Sequence, residues 1–354
     1  MATLKKISEY TGYSIATVSK VLNHQPGVGE KTKTAILSAA KKLDYRPNLN
    51  ARNLKTGTNR TLGIIAEDLT VFNTPAIIDG IGVCCEQRNY HYILGNLRFN
   101  KLFGHDMGKS SDKSELLMDM MDEMLTKQVD GIVYVGCHSH VVSSFSRQKE
   151  TPFVCAYCYS EDSDIPDVSY DDRDAARKVA ELLISKGHRK IGIIAGAKDS
   201  YHTGNRILGF QESLYSNDIP YNPHLTCYGD WERDYGYAHA PSLIAAGVTA
   251  IFAHNDLMAI GVIDYCNQKG IEIGKDLALI GFDNREIASA CRPTLSTVEL
   301  PLFDIGHKAT EIILNMIEQD ENPESHEILL GCNIIERKSS AGGISNAAAH
   351  DDRR

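Results

Sequence analysis

The stretch from Thr11 to Asn23, TGYSIATVSKVLN, sets hydroxyl and ammonium groups beside apolar ones at helical spacing. A helix beginning near Ser14 puts Val18, Val21 and Leu22 on its buried side. Ile15, Ala16, Ser19 and Lys20 are left more available. Lys20 can donate to a guanine edge or to a phosphate, and the small Ala16 permits close approach to base edges or a thymine methyl. Thr17 and Ser19 suit phosphate contacts or local capping. The chemistry this pattern offers is recognition of duplex DNA. With the flanking Ser14 and Asn23, these are the candidate DNA-binding residues of the first segment.

A second set of polar residues follows apolar runs further along: Asp68, Tyr157, Asn255, Asp256 and Asp283. Together with Arg206 and the single tryptophan, Trp231, they can line a polar cleft. Carboxylates, amides and one aromatic platform suit a neutral polyhydroxyl ligand, because each hydroxyl both donates and accepts. No catalytic constellation accompanies them. The loop IIAGAKDSYHTGN has neither dinucleotide-binding nor phosphate-loop spacing, and Gly-x-Ser-x-Gly and His-Glu-x-x-His do not occur. Asp256 and Asp283 form an acid pair, but paired carboxylates also bind sugars without chemistry. Cys155 and Cys158 make a Cys-x-x-Cys, and Cys137, His138 and His140 make a small neighbouring cluster of zinc-like type. Cys155 lies inside an apolar strand, where cysteine acts as a small hydrophobe. No metal, redox centre or cofactor is therefore expected. Nine scattered cysteines, an odd number, are not a disulfide framework.

The elements that must position these groups divide the 354 residues in two. Leu4, Ile7 and Tyr10 share one helical face, Thr3 can cap that helix, and Gly12 ends it. After the second helix comes a Gly/Pro loop, NHQPGVGE. A third helix follows, with Ile36, Ala39, Ala40 and Leu43 on one face. Helix, short turn, helix is the helix-turn-helix pattern, whose second helix enters the major groove. Residues 1–60 carry a net charge of +8, and the remainder about −17. A basic head on an acidic body suits a head that meets phosphates. In PNLNARNLKTG, residues 47–57, Asn48 can cap a short helix in which Leu54 is flanked by Arg52 and Lys55. An apolar wedge with basic neighbours is how minor-groove binders kink a duplex.

Beyond residue 60, near-continuous apolar strands alternate with amphipathic helices: TLGIIAED, HYILGN, DGIVYVG, PFVCAY, KIGIIAG, TAIFAHN and LALIGFDN are the strands. This pattern means parallel sheets covered on both faces. The alternation restarts near 161, which predicts two such units, with ligands beyond the carboxyl ends of the strands. No apolar run reaches 18 residues and the first ten lack a secretory signal, so a cytoplasmic protein is expected, without membrane contact. The tail AGGISNAAAHDDRR has no leucine heptads and is expected to be disordered.

The chain resembles the lactose-repressor and galactose-repressor (LacI/GalR) family of bacterial transcription regulators. The resemblance rests on the head from TLKKISEYTGYSIATVSKVLN to LDYRPNLNARNLKTG, then on GHRKIGIIAG, HNDLMAIGV, LALIGFDN and RPTLSTV, in that order. It covers nearly the whole chain, from Thr3 to about Ser340. It implies that Ile15, Ala16 and Lys20 face bases and that Leu54 is inserted at the operator centre by a hinge helix. It implies effector contacts by Arg206, Trp231, Asn255 and Asp283, with Phe72 on the first-lobe wall and Tyr157 where sugar-binding relatives often carry aspartate. Relatives often carry arginine at Lys20, and lysine lacks that bidentate fork. The loop LRFNKLFGHDMGKSSDKSE is longer than the family pattern.

The fold implied is α/β: a small all-helical helix-turn-helix head at 1–46, a hinge at 47–60, and a two-lobed periplasmic-binding-protein-like body at 61–340. Lobe one would comprise 61–160 plus 291–323, and lobe two 161–290 plus 324–340, with residues 341–354 as tail. The function implied is a non-enzymatic regulator, most simply a homodimeric repressor of carbohydrate-utilisation genes that binds double-stranded operator DNA. Its operator affinity would change when a sugar or sugar derivative binds between the lobes. Control by a partner protein or a non-sugar effector is the alternative. A sugar-binding protein without DNA function would leave the basic head unexplained.

Overall fold

The computed structural model describes residues 3–23, 25–45, 59–104, 111–138, 140–142, 151–319 and 321–341. The chain divides into two compact units, Met1–Asn59 and Arg60–Arg354. In the first, α1 (Leu4–Thr11) is capped by Thr3, whose hydroxyl accepts from the Lys6 amide. It closes on Gly12 at φ +73, a left-handed turn that favours glycine. α2 (Ile15–Leu22) and α3 (Glu30–Lys42) follow. Ile7, Val18, Val21, Ile36, Ala39 and Ala40 are buried together, with Leu4, Leu22 and Leu43 packed on them. Tyr10 departs from the expected apolar face. It is exposed, and the Lys42 ammonium lies 5.5 Å from its ring centroid. An aromatic ring with a hydroxyl can take a cation at the surface, whereas the aliphatic Leu4 and Ile7 gain only by burial. α3 begins at Gly29 without a side-chain cap.

The body starts with β1 (Thr61–Ala66), α4 (Thr74–Arg88), β2 (His91–Asn96), α5 (Phe99–Phe103) and α6 (Ser111–Thr126). Then come β3 (Gly131–Val135), β4 (Val141–Val142), β5 (Phe153–Ala156), β6 (Tyr159–Ser160), β7 (Asp167–Tyr170) and α7 (Asp172–Ser185). The next stretch holds β8 (Ile191–Ala195), α8 (Tyr201–Ser216), β9 (Thr226–Tyr228), α9 (Arg233–Ala245), β10 (Ala250–Ala253) and α10 (Asp256–Lys269). It ends with β11 (Ala278–Ile280), α11 (Glu286–Ala290), β12 (Thr297–Glu299), α12 (Leu302–Gln319), β13 (Glu327–Leu330) and β14 (Asn333–Ile335).

The first sheet has the order β13-β7-β5-β3-β1-β2 and the second β11-β10-β8-β9, all parallel. Strands β1, β3, β5 and β8 are apolar almost throughout because helices cover both faces. β12 and β14 pair antiparallel in a small sheet of their own.

Three strands lie elsewhere than the expected lobe divisions placed them: β12, expected in lobe one, bridges the end of β11 through the pairs Ile280 with Ser296 and Asp283 with Glu299, and two others join the first sheet. Asp167–Tyr170 pairs beside β5, and Glu327–Leu330 pairs beside β7, so both belong to the first sheet. The divisions expected at 160 and 323 fall before these strands. The chain leaves the first lobe after Tyr170 and again after Leu330. Pairing partners distant in sequence fix this, and the short, partly polar strings DVSY and EILL carry no local sign of it. One buried cluster runs through both sheets by way of Tyr157, Tyr170 and Phe282, so the lobes share core. Among the described residues no helix is long and apolar enough to cross a membrane.

Candidate functional site

On the head, α2 presents Ile15 (48 % exposed), Ala16 and Lys20 to solvent. Ser14 is the N-cap. Its hydroxyl accepts from the Thr17 amide at 3.1 Å and lies 2.9 Å from the Thr17 hydroxyl. Asn23 closes the helix, its amide donating to the Ser19 carbonyl at 2.9 Å and to the Ser19 hydroxyl at 3.2 Å. Ser14, Thr17, Ser19 and Asn23 thus stiffen the two ends of the helix, and Ile15, Ala16 and Lys20 stand free between them. Arg52, Leu54 and Lys55, with the hinge helix read for them, lie outside the described residues.

In the body, five candidate residues connect through Arg206 and its neighbours. Arg206, on α8, is 2 % exposed. Its Nε donates to Asp172 Oδ1 at 2.6 Å and its Nη2 to the Tyr170 hydroxyl at 2.9 Å, and Nη1 donates to the His254 carbonyl. The guanidinium lies 3.5 Å from the Phe282 ring centroid and 5.8 Å from that of Trp231. Tyr157 stacks on Tyr170 at 5.6 Å. Asn255 caps α10 by accepting from the Met258 amide and donates to the Trp231 carbonyl, each at 2.8 Å. Trp231 leans over Gly196, where a Cβ would overlap the indole. Asp283 follows Phe282 on the same wall. Phe72, on the first lobe, lies 4.7 Å from the Arg285 guanidinium of the second.

The electrostatics follow from burial. Asp172 is held below the ordinary carboxylate range: burial opposes this, and Arg206 and then His202 outweigh it. Burial pushes the Asp283 carboxyl well above that range, and the nearby Arg206 charge only partly offsets it. Burial, then Arg206, keep His254 neutral far below its usual range. Tyr157, Trp231 and Asp283 hold backbone φ of +63, +72 and +105. For the bulky Tyr157 and Trp231 such values are outliers, and stored strain of this kind gathers at ligand clamps.

Arg206 forms its salt bridge with Asp172 rather than with Asp283. Asp172, His202 and Tyr170 complete this cluster beyond the residues the sequence singles out. Their one sequence signal is the i, i+4 spacing of His202 and Arg206, which puts both on one face of α8. Asp68 is spent locally, accepting from the amide and hydroxyl of Thr70 and from the Asn100 amide. Asp256 accepts from the Thr297 hydroxyl and the Arg285 amide.

Cys155 and Cys158 are fully buried among apolar side chains. The other cluster, however, gains a member: Glu67 lies 3.0 Å from His140 Nε2. Burial raises the Glu67 carboxyl, but His140 and hydrogen bonds from Tyr134 and Cys137 hold it down at about 2. Burial, then His140, lowers His138 to about 4. A separate cavity of about 210 Å³, lined by Phe210, Leu214 and Tyr221 among others, lies within the second lobe and involves none of the cleft residues.

A helix-turn-helix head joined to a two-lobed parallel-sheet body defines a class of DNA-binding regulators that respond to small molecules. Residues 3–48 match the family described as "Bacterial regulatory proteins, lacI family", and residues 180–340 match the "Periplasmic binding protein-like domain". The chain is 33% identical over 344 residues to the HTH-type transcriptional regulator RegA of Clostridium acetobutylicum, covering 96% of this chain and 99% of that one. It is 28% identical over 342 residues to the HTH-type transcriptional repressor CytR of Escherichia coli (strain K12), covering 96% of each. The lac repressor dimer bound to operator and the anti-inducer ONPF shares the fold at a TM-score of 0.76 and 22% identity, over 96% of this chain and 99% of that one. The chain belongs to the LacI family of bacterial regulatory proteins. It is a non-enzymatic DNA-binding regulator of that family, with a place for a small effector between its lobes.

Proposed function

We propose that the chain is a repressor of carbohydrate-utilisation genes. It acts as a homodimer on a near-palindromic operator, and a sugar or sugar derivative between the lobes changes its operator affinity. Residues 1–46 form the DNA-binding head, 47–60 the hinge and 61–340 the effector-binding and dimerisation body. In the head, Ile15, Ala16 and Lys20 read bases, while Ser14, Thr17, Ser19 and Asn23 set the helix and approach the phosphates. Arg52, Leu54 and Lys55 act in the minor groove.

The observation that carries the effector site is the left-handed backbone shared by Tyr157, Trp231 and Asp283 around one buried arginine. Positive φ is a genuine outlier for the bulky Tyr157 and Trp231, and strain of that kind at one cleft supports a functional reason. The cleft offers an indole face and a carboxyl, groups that suit ring hydroxyls. Asn255 and Arg206 have their polar atoms engaged by protein, so they shape the cleft. In this reading Trp231, Asp283 and Phe72 meet the ligand, with Tyr157, buried against Tyr170, behind them. Two lobes that share core through Tyr157 and Tyr170 give a ligand something to shift.

Thermal unfolding against a panel of mono- and disaccharides and sugar acids tests the reading, because a ligand of the folded state raises the midpoint. A midpoint shift that disappears in Asp283→Ala and Trp231→Ala places the sugar in the cleft. The absence of a shift with every sugar sinks the carbohydrate assignment and turns attention to a non-sugar effector or partner control.

A further inference from the structure

The first-lobe wall carries a cluster that the effector site leaves unused. Glu67 directly follows β1, and His138 and His140 follow β3. One carboxylate oxygen and one ring nitrogen from each imidazole all lie within 4.8 Å of one another. Glu67 is 1 % exposed, and both histidines are half-buried.

The groups are oriented from behind. The Tyr134 hydroxyl donates to Glu67 Oε1 at 2.6 Å, and the Cys137 amide donates to Oε2 at 2.8 Å. His140 Nδ1 donates to the His138 carbonyl at 2.8 Å, which turns Nε2 toward Glu67 Oε1 at 3.0 Å. The two imidazoles stack at a centroid distance of 4.6 Å, 19° from parallel. A histidine fixed through Nδ1 by a carbonyl, beside a carboxylate fixed by further donors, is the outer shell that orients metal ligands. An ordinary ion pair would account for Glu67 and His140, while the second imidazole, whose Nδ1 lies 3.3 Å from the Cys137 thiol, is brought within reach of the same carboxylate. Both strands end here at their carboxyl edge, the side of a parallel sheet on which ligands bind.

We propose that Glu67, His138 and His140 bind one divalent transition-metal ion of the zinc class on the first-lobe wall of the cleft. Two imidazoles and one carboxylate suit such an ion and leave coordination positions open to a further ligand. The ion takes the place of the proton between His140 Nε2 and Glu67 Oε1, and that proton goes to solvent. Metal binding of this kind is independent of whether the effector is a sugar.

The test is titration of metal-free full-length chain with Zn²⁺ against a chromophoric chelator, with thermal unfolding in parallel. The expected result is one equivalent bound and a raised midpoint. His138→Ala and His140→Ala should each weaken binding about tenfold or more. Circular dichroism confirms that each variant is folded, and the half-buried His138 is the safer of the two. Cys137→Ser should leave the affinity unchanged. No stoichiometric binding overturns the proposal, as does binding that survives both histidine substitutions. So does binding lost only in Cys137→Ser, which would assign the ion to the thiol.

Discussion

At the scale of single residues, the buried charge of Arg206 governs the body. Its ion pair with Asp172 is almost wholly removed from water, and His202 holds the other carboxylate oxygen at 2.7 Å. Breaking a buried pair from one side leaves an uncompensated charge, so Asp172→Asn should destabilise the body by about 3–5 kcal/mol. A urea melt at neutral pH measures this, and a loss below 1 kcal/mol would show the pair to be solvated. Asp167 poses the opposite case. Its Oδ1 is buried without a partner, and burial pushes its carboxyl up to about 6. A raised folded value gives stability that is present below the unfolded value of 3.8 and lost as pH rises through about 6. Asp167→Asn should therefore be more stable than the parent above pH 6, by about 1–3 kcal/mol. The difference should close between pH 6 and 4, and parallel melts across that window check it. Arg206 was legible as a polar companion of the residues at the strand ends. Asp172 was not, because YDDRDAA reads as a solvated acidic turn, and burial is a property of the packed chain.

At the scale of elements, glycines decide how closely helices approach. A Cβ on Gly306 of α12 would sit 1.9 Å from the Ile77 carbonyl of α4, and one on Gly80 would sit 2.0 Å from the Phe303 carbonyl. The two helices meet backbone to backbone, and a methyl group there forces them apart. Gly306→Ala should cost about 1–3 kcal/mol or more, the range for overpacking. A control at Gly204, where no atom lies within 4 Å, should show little beyond propensity. Comparable midpoints for the two variants would disprove the close contact. The elements themselves were readable: apolar strands with amphipathic helices between them, and Gly12 ending α1, follow from local chemistry. Sheet membership was not readable for β7 and β13, since the partner strand that makes a segment central lies far away in sequence.

At the scale of the whole molecule, the contrast between a +8 head segment and a −17 remainder separates two tasks along one chain. The head's affinity should be steeply salt-dependent, because each neutralised phosphate releases counterions. Lys20 stands exposed beside Ala16 on the free face of α2. Lys20→Ala should flatten the slope of log K against log salt by about one unit and relax preference at one operator position. Effector affinity measured without DNA should not change. Linkage then ties the two tasks together. If the effector weakens operator binding by some factor, operator DNA must weaken effector binding by the same factor. Titrating effector into the free protein and into its operator complex, at one salt concentration, measures both sides of that cycle. Equal factors mean that the cleft and the head report one two-state equilibrium, and the sign of the factor separates an inducer from a corepressor. A cleft ligand whose affinity is indifferent to operator cannot regulate, however tightly it binds, and control would then have to come from a site other than the one built around Arg206.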